Sequence, residues 1–307
     1  MKTLVGYTGF VGSNLVSQTN FSYLYNSKNI RDSYGTKPNL LVYSGVRAEK
    51  FLANKNPEQD HQIILGAIAN IKLINPKKII LISTVDVYKH PINVSEDDEI
   101  VTKDLQPYGL HRYYLEKWVE ENCKDHLIVR LPGLYGENIK KNFIYDLIHI
   151  IPSMINEDKF TELSKRDKAV ENYYIKNTAD GFYRCKELSD VEKTKLKDYF
   201  NNIGFSALHF SDSRGIFQYY NLSYLWKHLS IALKNRITKL NIATEPISIS
   251  ELAWHVNKLD FKNEITENPP HYDFKTKHFE LFGGKNGYIL DKIFLLEDIK
   301  QFIQKNQ

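Results

Sequence analysis

Apolar positions follow two kinds of pattern along this chain. Short runs of apolar and β-branched residues predict strands at residues 2–5, 21–25, 39–44, 77–84, 127–131 and 240–244. Apolar residues at helical spacing predict helices at residues 62–74, 141–151, 190–202, 222–235 and 288–302, with others beginning near Tyr108 and at Ser248. Because the early strands are apolar throughout and alternate with helices, the sequence predicts an α/β fold built on a doubly wound parallel sheet.

Three glycines separate the first strand from the helix that follows it. Gly6, Gly9 and Gly12 give the spacing G-x-x-G-x-x-G between a strand and a helix. Glycine permits a tight turn there, and the backbone N–H groups of Phe10 and Val11 at the helix start can hold a pyrophosphate. The motif therefore predicts a dinucleotide site, with a glycine-rich turn that binds nothing as the alternative.

The second strand ends in a polar loop that bears on the choice of cofactor. An NAD-selective site usually has Asp or Glu here, where it holds the ribose 2′-hydroxyl. This loop instead offers Asn26, Ser27 and Lys28, with Arg31 close by, so a 2′-phosphate would meet donors and a cation. NADP is therefore favoured over NAD, with a simple polar loop as the alternative. Ser44 ends the third strand and is assigned to the same cofactor site.

The helix that begins near Tyr108 carries the candidate chemistry. Tyr108 and Arg112 are four residues apart, which places the phenol and the guanidinium on one helix face. A fixed cation lowers the pKa of a neighbouring tyrosine, so we expect a general base that works near neutral pH. Two alternatives stay open, an amphipathic helix with a buried tyrosine and a second frame of the same spacing, Tyr113 and Lys117.

The composition of the chain indicates which kinds of partner we expect it to bind. The chain has 41 basic and 37 acidic side chains, and this near balance predicts no nucleic-acid partner. Cys123 and Cys185 give neither a metal spacing nor a disulfide framework, so no metal is expected. No apolar run is long enough to span a membrane, and a glycine motif directly follows the first strand. We therefore expect no signal peptide, no membrane insertion and a cytoplasmic location.

Six segments occur in an order that is typical of one family. They are GYTGFVG, ISTVDVY, PYGLHRYYLEKWV, VRLPGLYG, DSRGIFQYYNL and LNIATEPISISEL. Through them the chain resembles the extended short-chain dehydrogenase/reductases of the NAD-dependent epimerase/dehydratase family, which act on nucleotide sugars. The resemblance implies an NAD(P)-binding Rossmann domain at residues 1–150 and a smaller α/β substrate-binding portion at 151–307, with strands and helices exchanged between them. It covers residues 153–210 poorly, and we interpret this polar region as an insertion or a lid.

The resemblance also implies roles for particular residues. Thr84 and Tyr108 match the catalytic Ser/Thr and the catalytic tyrosine, and the three glycines match those that bind pyrophosphate. Arg214 matches an arginine that holds the pyrophosphate of the sugar nucleotide, an anion that suits a guanidinium. Asn142 is assigned to the substrate site as well. Glu116 and the neighbours of Tyr108 fit the family pattern, which favours the first tyrosine frame over the second.

Three positions depart from the family pattern. The lysine four residues after the tyrosine is Arg112, which keeps the charge and can still donate to the cofactor ribose, but cannot shuttle a proton. Tyr108 and Arg112 are therefore assigned to the cofactor site as well as to catalysis. The Asp-Glu pair that follows the threonine in sugar dehydratases is replaced by Val85 and Asp86, so Asp86 is either a single acid/base group or a solvated carboxylate. A late aspartate is replaced by Asn221, which removes any charge there.

These residues lead to two classes of function. The resemblance implies an NAD(P)-dependent epimerase or reductase of a nucleotide sugar, in a setting such as polysaccharide biosynthesis. Tyr108 would transfer the proton and Thr84 would hydrogen-bond the same sugar oxygen, while hydride passes to or from the cofactor. The departures at Arg112 and Asn221 leave open a protein that binds cofactor or nucleotide sugar with little catalysis, as a regulatory or assembly subunit. The family also implies a candidate homodimer through the helix of Tyr108, with Trp118 on its outward face.

Overall fold

The computed structural model describes residues 1–178 and 180–307 of the chain. These residues fold into two compact units that interleave along the sequence. The first unit consists of Met1–Ile139, Ile216–Ser248 and Pro270–Asp298. The second unit consists of Lys140–Gly215, Ile249–Pro269 and Ile299–Gln307. The functional division at residue 150 stays a prediction, and both units take segments from beyond it.

Strands and helices alternate through most of the chain. The strands are β1 Lys2–Val5, β2 Tyr23–Tyr25, β3 Leu40–Tyr43, β4 Ile79–Thr84, β5 His126–Leu131, β6 Gly133–Tyr135, β7 Met154–Ile155, β8 Tyr174–Lys176, β9 Tyr183–Cys185, β10 Ile216–Phe217, β11 Tyr219–Asn221, β12 Lys239–Asn241 and β13 Ile247–Ser248. The α-helices are α1 Phe10–Val16, α2 Lys50–Lys55, α3 Pro57–Ile74, α4 Pro107–Asn122, α5 Phe143–Ile148, α6 Glu157–Arg166, α7 Asp190–Asn202, α8 Leu225–Lys234, α9 Ile249–Asn257 and α10 Lys292–Asn306. Over the described residues, none of these helices combines the length and the apolar content needed to cross a bilayer.

A parallel sheet lies at the centre of the first unit. Over the described residues it has six strands, in the order β2-β1-β3-β4-β5-β12. Successive residues of a strand point to opposite faces, so Leu4 and Ile80 pack with α1 and α8, whereas Val5 and Leu81 pack with α3 and α4. Both faces are therefore covered, which explains why the strands are apolar throughout. The predicted α/β fold with a doubly wound parallel sheet is confirmed.

The order of the strands reverses between β1 and β3. β2 lies on one side of β1, and β3 lies on the other. In open parallel sheets ligands bind outside the carboxyl ends of the strands, next to such a reversal. The glycine loop follows β1, the polar loop follows β2, and Thr84 ends β4. The candidate residues of the first unit therefore belong to one edge of the sheet.

Most predicted elements form, with shifted ends. The helix predicted at residues 62–74 begins earlier, at Pro57, because proline is favoured in the first turn of a helix. The helix predicted at residues 288–302 begins later, at Lys292, because Tyr288 still belongs to an isolated bridge before it. Helix α7 has the predicted bounds.

The second unit contains residues 153–178 and 180–210, the described part of the polar region that is interpreted above as an insertion or a lid. In this region β9 lies between β7 and β8 and pairs antiparallel with both, and α6 and α7 pack beside these strands. Leu163, Val170 and Phe200 are fully buried in this cluster. The region therefore has an apolar core of its own.

Candidate active site

Tyr108 and Thr84 meet at the carboxyl edge of the sheet. Thr84 is the last residue of β4, and Tyr108 is in the first turn of α4. Tyr108 is 7% exposed, and the Thr84 side chain lies close enough to its phenol to favour the ionised form. The contact depends on Gly109, since a Cβ atom at this position would lie 1.9 Å from the carbonyl oxygen of Asp86. Helix α4 can therefore start directly against the turn that follows β4.

A buried ion pair holds α4 against the sheet. Arg130 on β5 donates from Nη2 to Oε2 of Glu116 at 2.7 Å, and both side chains are 1% exposed. Ser83 on β4 donates its hydroxyl to the other oxygen of the same carboxylate. The carboxylate of Glu116 thus joins α4 to two strands, and this fixes the position of the helix start that carries Tyr108.

The surroundings of Tyr108 raise the pKa of its phenol above the usual value. Burial is the largest cause, because it disfavours the charged phenolate, and the carboxylate of Asp86 acts in the same direction. Arg112, Thr84 and Lys50 lower the pKa, but together they do not offset the burial. The expectation that Arg112 brings this pKa near neutrality is therefore wrong, since it left burial out.

Arg112 contacts the ring of Tyr108 and makes its hydrogen bonds elsewhere. The guanidinium carbon lies 3.9 Å from the ring centroid. Nη1 donates to Oδ2 of Asp60 at 2.6 Å and to the carbonyl of Tyr108, and Nη2 donates to the carbonyl of Arg47 at 2.7 Å. His111 places Nδ1 2.8 Å from the same Asp60 oxygen. Arg112 therefore ties α4 to α3, and its predicted contact with a cofactor ribose stays a prediction.

Asp86 is the centre of a polar cluster that the sequence did not indicate. Its Oδ1 atom accepts from Nζ of Lys50 at 2.7 Å and from the hydroxyl of Tyr272 at 2.8 Å, and Lys50 also donates to Tyr272 at 3.1 Å. Burial and then the neighbouring Asp86 carboxylate raise the pKa of Tyr272 to about 12, so its hydroxyl stays protonated. Asp86 is thus a paired carboxylate rather than a solvated one. No motif signals Lys50 or Tyr272, because each reaches the site only through the tertiary fold.

The glycine loop has the backbone that a pyrophosphate site requires. Gly6 has a φ of +92°, and a Cβ atom there would lie 2.5 Å from the carbonyl oxygen of Ser44. At Gly12 a Cβ atom would lie 2.1 Å from the carbonyl oxygen of Gly6. These two glycines therefore allow strand, turn and helix to pack closely. The hydroxyl of Ser44 donates to the carbonyl of Val5 at 2.9 Å, which holds the end of β3 against the end of β1.

The start of α1 presents backbone groups to this edge of the sheet. Gly9 is the N-cap residue, and Phe10 and Val11 are the first residues of the helix. The first N–H groups of a helix have no partner within it, and the helix dipole favours an anion there. A Cβ atom at Gly9 would meet only the Gly6 carbonyl oxygen, at 3.3 Å. The residues present fit a dinucleotide pyrophosphate.

The loop after β2 is a turn with exposed polar side chains. The side-chain oxygen of Asn26 accepts from the backbone N–H of Lys28 at 2.9 Å, and Asn29 in turn accepts from the N–H of Asn26 at 2.8 Å. Ser27 and Lys28 are exposed on this turn. Their geometry fits the predicted contact with a 2′-phosphate, which stays a prediction.

The two predicted substrate residues belong to the second unit. The side-chain oxygen of Asn142 accepts from the N–H of Tyr145 and caps α5. Arg214 donates from Nε and Nη2 to the buried Asp212, and its Nη1 lies 2.9 Å from Glu264. A pyrophosphate at Arg214 would have to compete with these carboxylates, and both assignments stay predictions.

A carboxylate lies beside Asn221, where the family has an aspartate. Asn221 donates from its side-chain nitrogen to Asp298 on α10 at 2.8 Å, and its oxygen accepts from the N–H of Ser223. Tyr224 and Tyr135 also donate their hydroxyls to the Asp298 carboxylate. The charge lost at Asn221 is therefore present on a neighbouring residue that the sequence pattern did not indicate.

Solved structures share this fold over nearly the whole chain. dTDP-4-dehydrorhamnose reductase from Bacillus anthracis, in complex with NADP, matches with a TM-score of 0.63 and 14% identity, over 100% of this chain and 99% of that one. UDP-glucose 4-epimerase from Thermotoga maritima, with UDP-glucose, matches with a TM-score of 0.59 and 16% identity, over 99% of this chain and 98% of that one. UDP-N-acetylglucosamine 4-epimerase from Methanobrevibacter ruminantium, in complex with UDP-N-acetylmuramic acid, matches with a TM-score of 0.61 and 13% identity, over 99% of this chain and 96% of that one. At these identities the similarity shows the fold.

The sequence itself identifies the family. A comparison with curated proteins gives no significant match. The model of the NAD dependent epimerase/dehydratase family matches residues 24–195, which is more than half of the chain and includes Thr84 and Tyr108. The predicted resemblance is confirmed, and the chain belongs to the NAD dependent epimerase/dehydratase family.

Proposed function

We propose that this protein is an NAD(P)H-dependent reductase that converts a keto group of a nucleotide-activated sugar to a hydroxyl. Membership of the family supports an NAD-dependent reaction. The structural neighbours include a dTDP-4-dehydrorhamnose reductase in complex with NADP and a UDP-glucose 4-epimerase with UDP-glucose. The observation that favours reduction is the turn after β2, where the exposed Ser27 and Lys28 suit the 2′-phosphate of NADPH, the cofactor typical of reductive reactions.

Tyr108 is suited to act as the acid of this reaction. Like an ordinary tyrosine, the phenol carries its proton at neutral pH, and it can give this proton to a carbonyl oxygen. Thr84 can donate a hydrogen bond to the same oxygen while the negative charge develops there. A keto-sugar carbonyl would thus gain a proton at oxygen and a hydride at carbon, and become a hydroxyl.

The first unit supplies the groups that would hold the cofactor. The backbone N–H groups at the start of α1 suit the pyrophosphate, and Ser27 and Lys28 suit a 2′-phosphate, which favours NADPH. The bound cofactor supplies the hydride. Asn142 and Arg214 are our candidates for the substrate's diphosphate, and for Arg214 this requires exchange of Glu264 for the ligand.

Two other functions are possible for the same residues, and the assay described below distinguishes them from a reductase. An epimerase would use the same Tyr108 and Thr84, but the tyrosine would both remove and return a proton, and the sugar would be released with no net use of cofactor. A binding protein with little catalysis is favoured by one observation, that Arg112 pairs with Asp60 and faces the phenol ring instead of its oxygen.

The test is an assay of purified protein with NADPH or NADH and a panel of UDP-, GDP-, CDP- and dTDP-linked keto-sugars. We expect loss of reduced cofactor in equal amount to the hydroxy-sugar formed, with at least one of these substrates. Tyr108→Phe serves as the inactive control. Inversion of a sugar centre without net use of cofactor would show an epimerase, and cofactor binding without conversion of any substrate would favour the binding protein.

A further inference from the structure

Lys50 lies at the active site although it belongs to a different helix from Tyr108. It is the first residue of α2, and Asn54 is one turn further along the same helix face. The side-chain oxygen of Asn54 accepts from the backbone N–H of Tyr108 at 2.9 Å. This hydrogen bond turns the face of α2 that carries Lys50 toward the start of α4.

The Lys50 ammonium is held on the turn that follows β4. It donates to Asp86 at 2.7 Å and to Tyr272 at 3.1 Å, and its side chain is 47% exposed. The backbone of Asp86 packs against Gly109, the residue after Tyr108. The Lys50–Asp86 ion pair therefore lies next to the phenol.

The charged groups that face Tyr108 act in opposite directions. Arg112 on α4 and Lys50 on α2 favour the phenolate, whereas the Asp86 carboxylate opposes it. Arg112 has the stronger effect, but it is fixed by its buried pair with Asp60 and by backbone carbonyls. Lys50 is half-exposed, and an ammonium with two donated hydrogen bonds can make a third.

We propose that Lys50 is a positioning residue of the active site, whose ammonium offsets part of the charge of Asp86 so that Tyr108 can alternate between phenol and phenolate. This role rests on the proposed function of Tyr108 as the proton-transferring group. With Lys50 absent, the uncompensated carboxylate of Asp86 would hold the proton on Tyr108 more tightly. With both charges absent, both effects would be lost, and that of Asp86 is the larger.

The test is the titration of Tyr108 in the intact protein, followed by NMR of ¹³C-labelled tyrosine and assigned with Tyr108→Phe. Lys50→Gln should raise the titration midpoint of Tyr108 by up to roughly one pH unit, and Asp86→Asn should lower it by more. The double variant Lys50→Gln/Asp86→Asn should have a midpoint between those of Asp86→Asn and wild type. Lys50→Arg should retain the wild-type midpoint, and Lys55→Gln, at the other end of α2, serves as the matched control.

This titration needs no substrate, so it tests Lys50 even if no nucleotide sugar is turned over. Where turnover is found, the limb of the pH–rate profile that reports Tyr108 should shift with the same signs. An unchanged midpoint in Lys50→Gln, or a double variant that stays displaced like one of the single variants, would overturn the proposal. Since Lys50 is half-exposed, Lys50→Gln should keep the wild-type fold, and Lys50→Met gives a second neutral variant for the same comparison.

Discussion

Arg112 forms a buried ion pair with Asp60, in which Nη1 lies 2.6 Å from Oδ2 and the two side chains are 6% and 5% exposed. The pair joins α4 to α3. Because α4 also carries Tyr108, the pair helps to hold the candidate active site in place. A buried pair of this kind is costly to break from one side, because the remaining charge has no partner. Arg112 therefore has a structural role in addition to the cofactor contact that is predicted for it.

We expect Arg112→Ala to lower the free energy of unfolding by about 3–5 kcal/mol, because it leaves the Asp60 carboxylate buried without its strongest partner. Urea unfolding of the two single variants and of the double variant Arg112→Ala/Asp60→Asn measures this. The loss of unfolding free energy in the double variant should be smaller than the sum of the two single losses by at least about 1 kcal/mol. A loss of cofactor affinity with unchanged stability would instead favour the direct cofactor contact that the sequence predicts.

Substitutions at Gly9 and Gly12 can distinguish an effect on cofactor binding from an effect on folding. A Cβ atom at Gly9 would lie 3.3 Å from the carbonyl oxygen of Gly6, whereas one at Gly12 would lie 2.1 Å from it. Gly9→Asp should therefore keep the fold while placing a negative charge where the pyrophosphate would lie. We expect its NADPH affinity to fall by more than about 10-fold, equivalent to about 1.4 kcal/mol.

Calorimetric titration with NADPH, alongside thermal unfolding, checks this prediction. Gly12→Ala is the contrasting variant, since its steric clash should lower the melting temperature as well. Undiminished NADPH binding by folded Gly9→Asp would remove the glycine loop from the cofactor site.

The sequence predicts the sheet and the tyrosine better than it predicts their surroundings. Strand β4 and the neighbourhood of Thr84 and Tyr108 have strong local patterns, a buried apolar run and a family motif. The strands near residues 174–185 are only three residues long, which is too short for periodicity to show. Their formation depends on tertiary packing, so a single sequence did not reveal it.

The electrostatics of the site depend on contacts between distant parts of the chain. Spacing places Arg112 beside Tyr108, but it does not show that Asp60 on another helix takes up the guanidinium. Nor does it show that burial outweighs the cation at the phenol, or that Lys50 reaches Asp86. The sign of a pKa shift therefore required the fold as well as the motif.

Lys28 should determine the preference between cofactors. It is exposed on the turn after β2, where a 2′-phosphate would be bound. We expect wild type to prefer NADP over NAD by about 10-fold, or about 1.4 kcal/mol, as one partly exposed contact between an ammonium and a phosphate provides. Titration of both cofactors against Lys28→Ala, with the exposed Lys124→Ala as control, should show this preference lost only in the first variant. Equal or tighter binding of NAD by wild type would contradict the assignment of this turn.

Asp146 on α5 should make stability depend on pH. Burial raises its pKa to about 7, whereas an aspartate in an unfolded chain titrates near ~3.9. Because the folded-state pKa is raised, the contribution of the protonated Asp146 to stability is fully present below about pH 4. This contribution is lost as the pH rises through about 7. From about pH 4 to about pH 8, wild type should lose about 2–4 kcal/mol more than Asp146→Asn.

Urea unfolding at several pH values measures this difference. Asp198→Asn, an exposed change on α7, is the control and should follow wild type. If Asp146→Asn also follows wild type across this range, the carboxyl titrates as an exposed one.

Tyr108 and Tyr113 provide the most direct test of the catalytic assignment, because both begin a frame with a cation four residues later. Tyr108→Phe keeps the ring that packs on Arg112 and removes only the ionisable oxygen. Cofactor affinity should therefore stay near wild type, while turnover should fall by about 10²–10⁴-fold, the usual contribution of positioned proton transfer. Tyr113 packs in the apolar cluster around Val85 and Phe274, so Tyr113→Phe should keep nearly full turnover. The two variants measured in one assay decide between the frames, since the second frame requires the opposite order. If both retain activity, α4 has only a structural role and the proposed reaction is wrong.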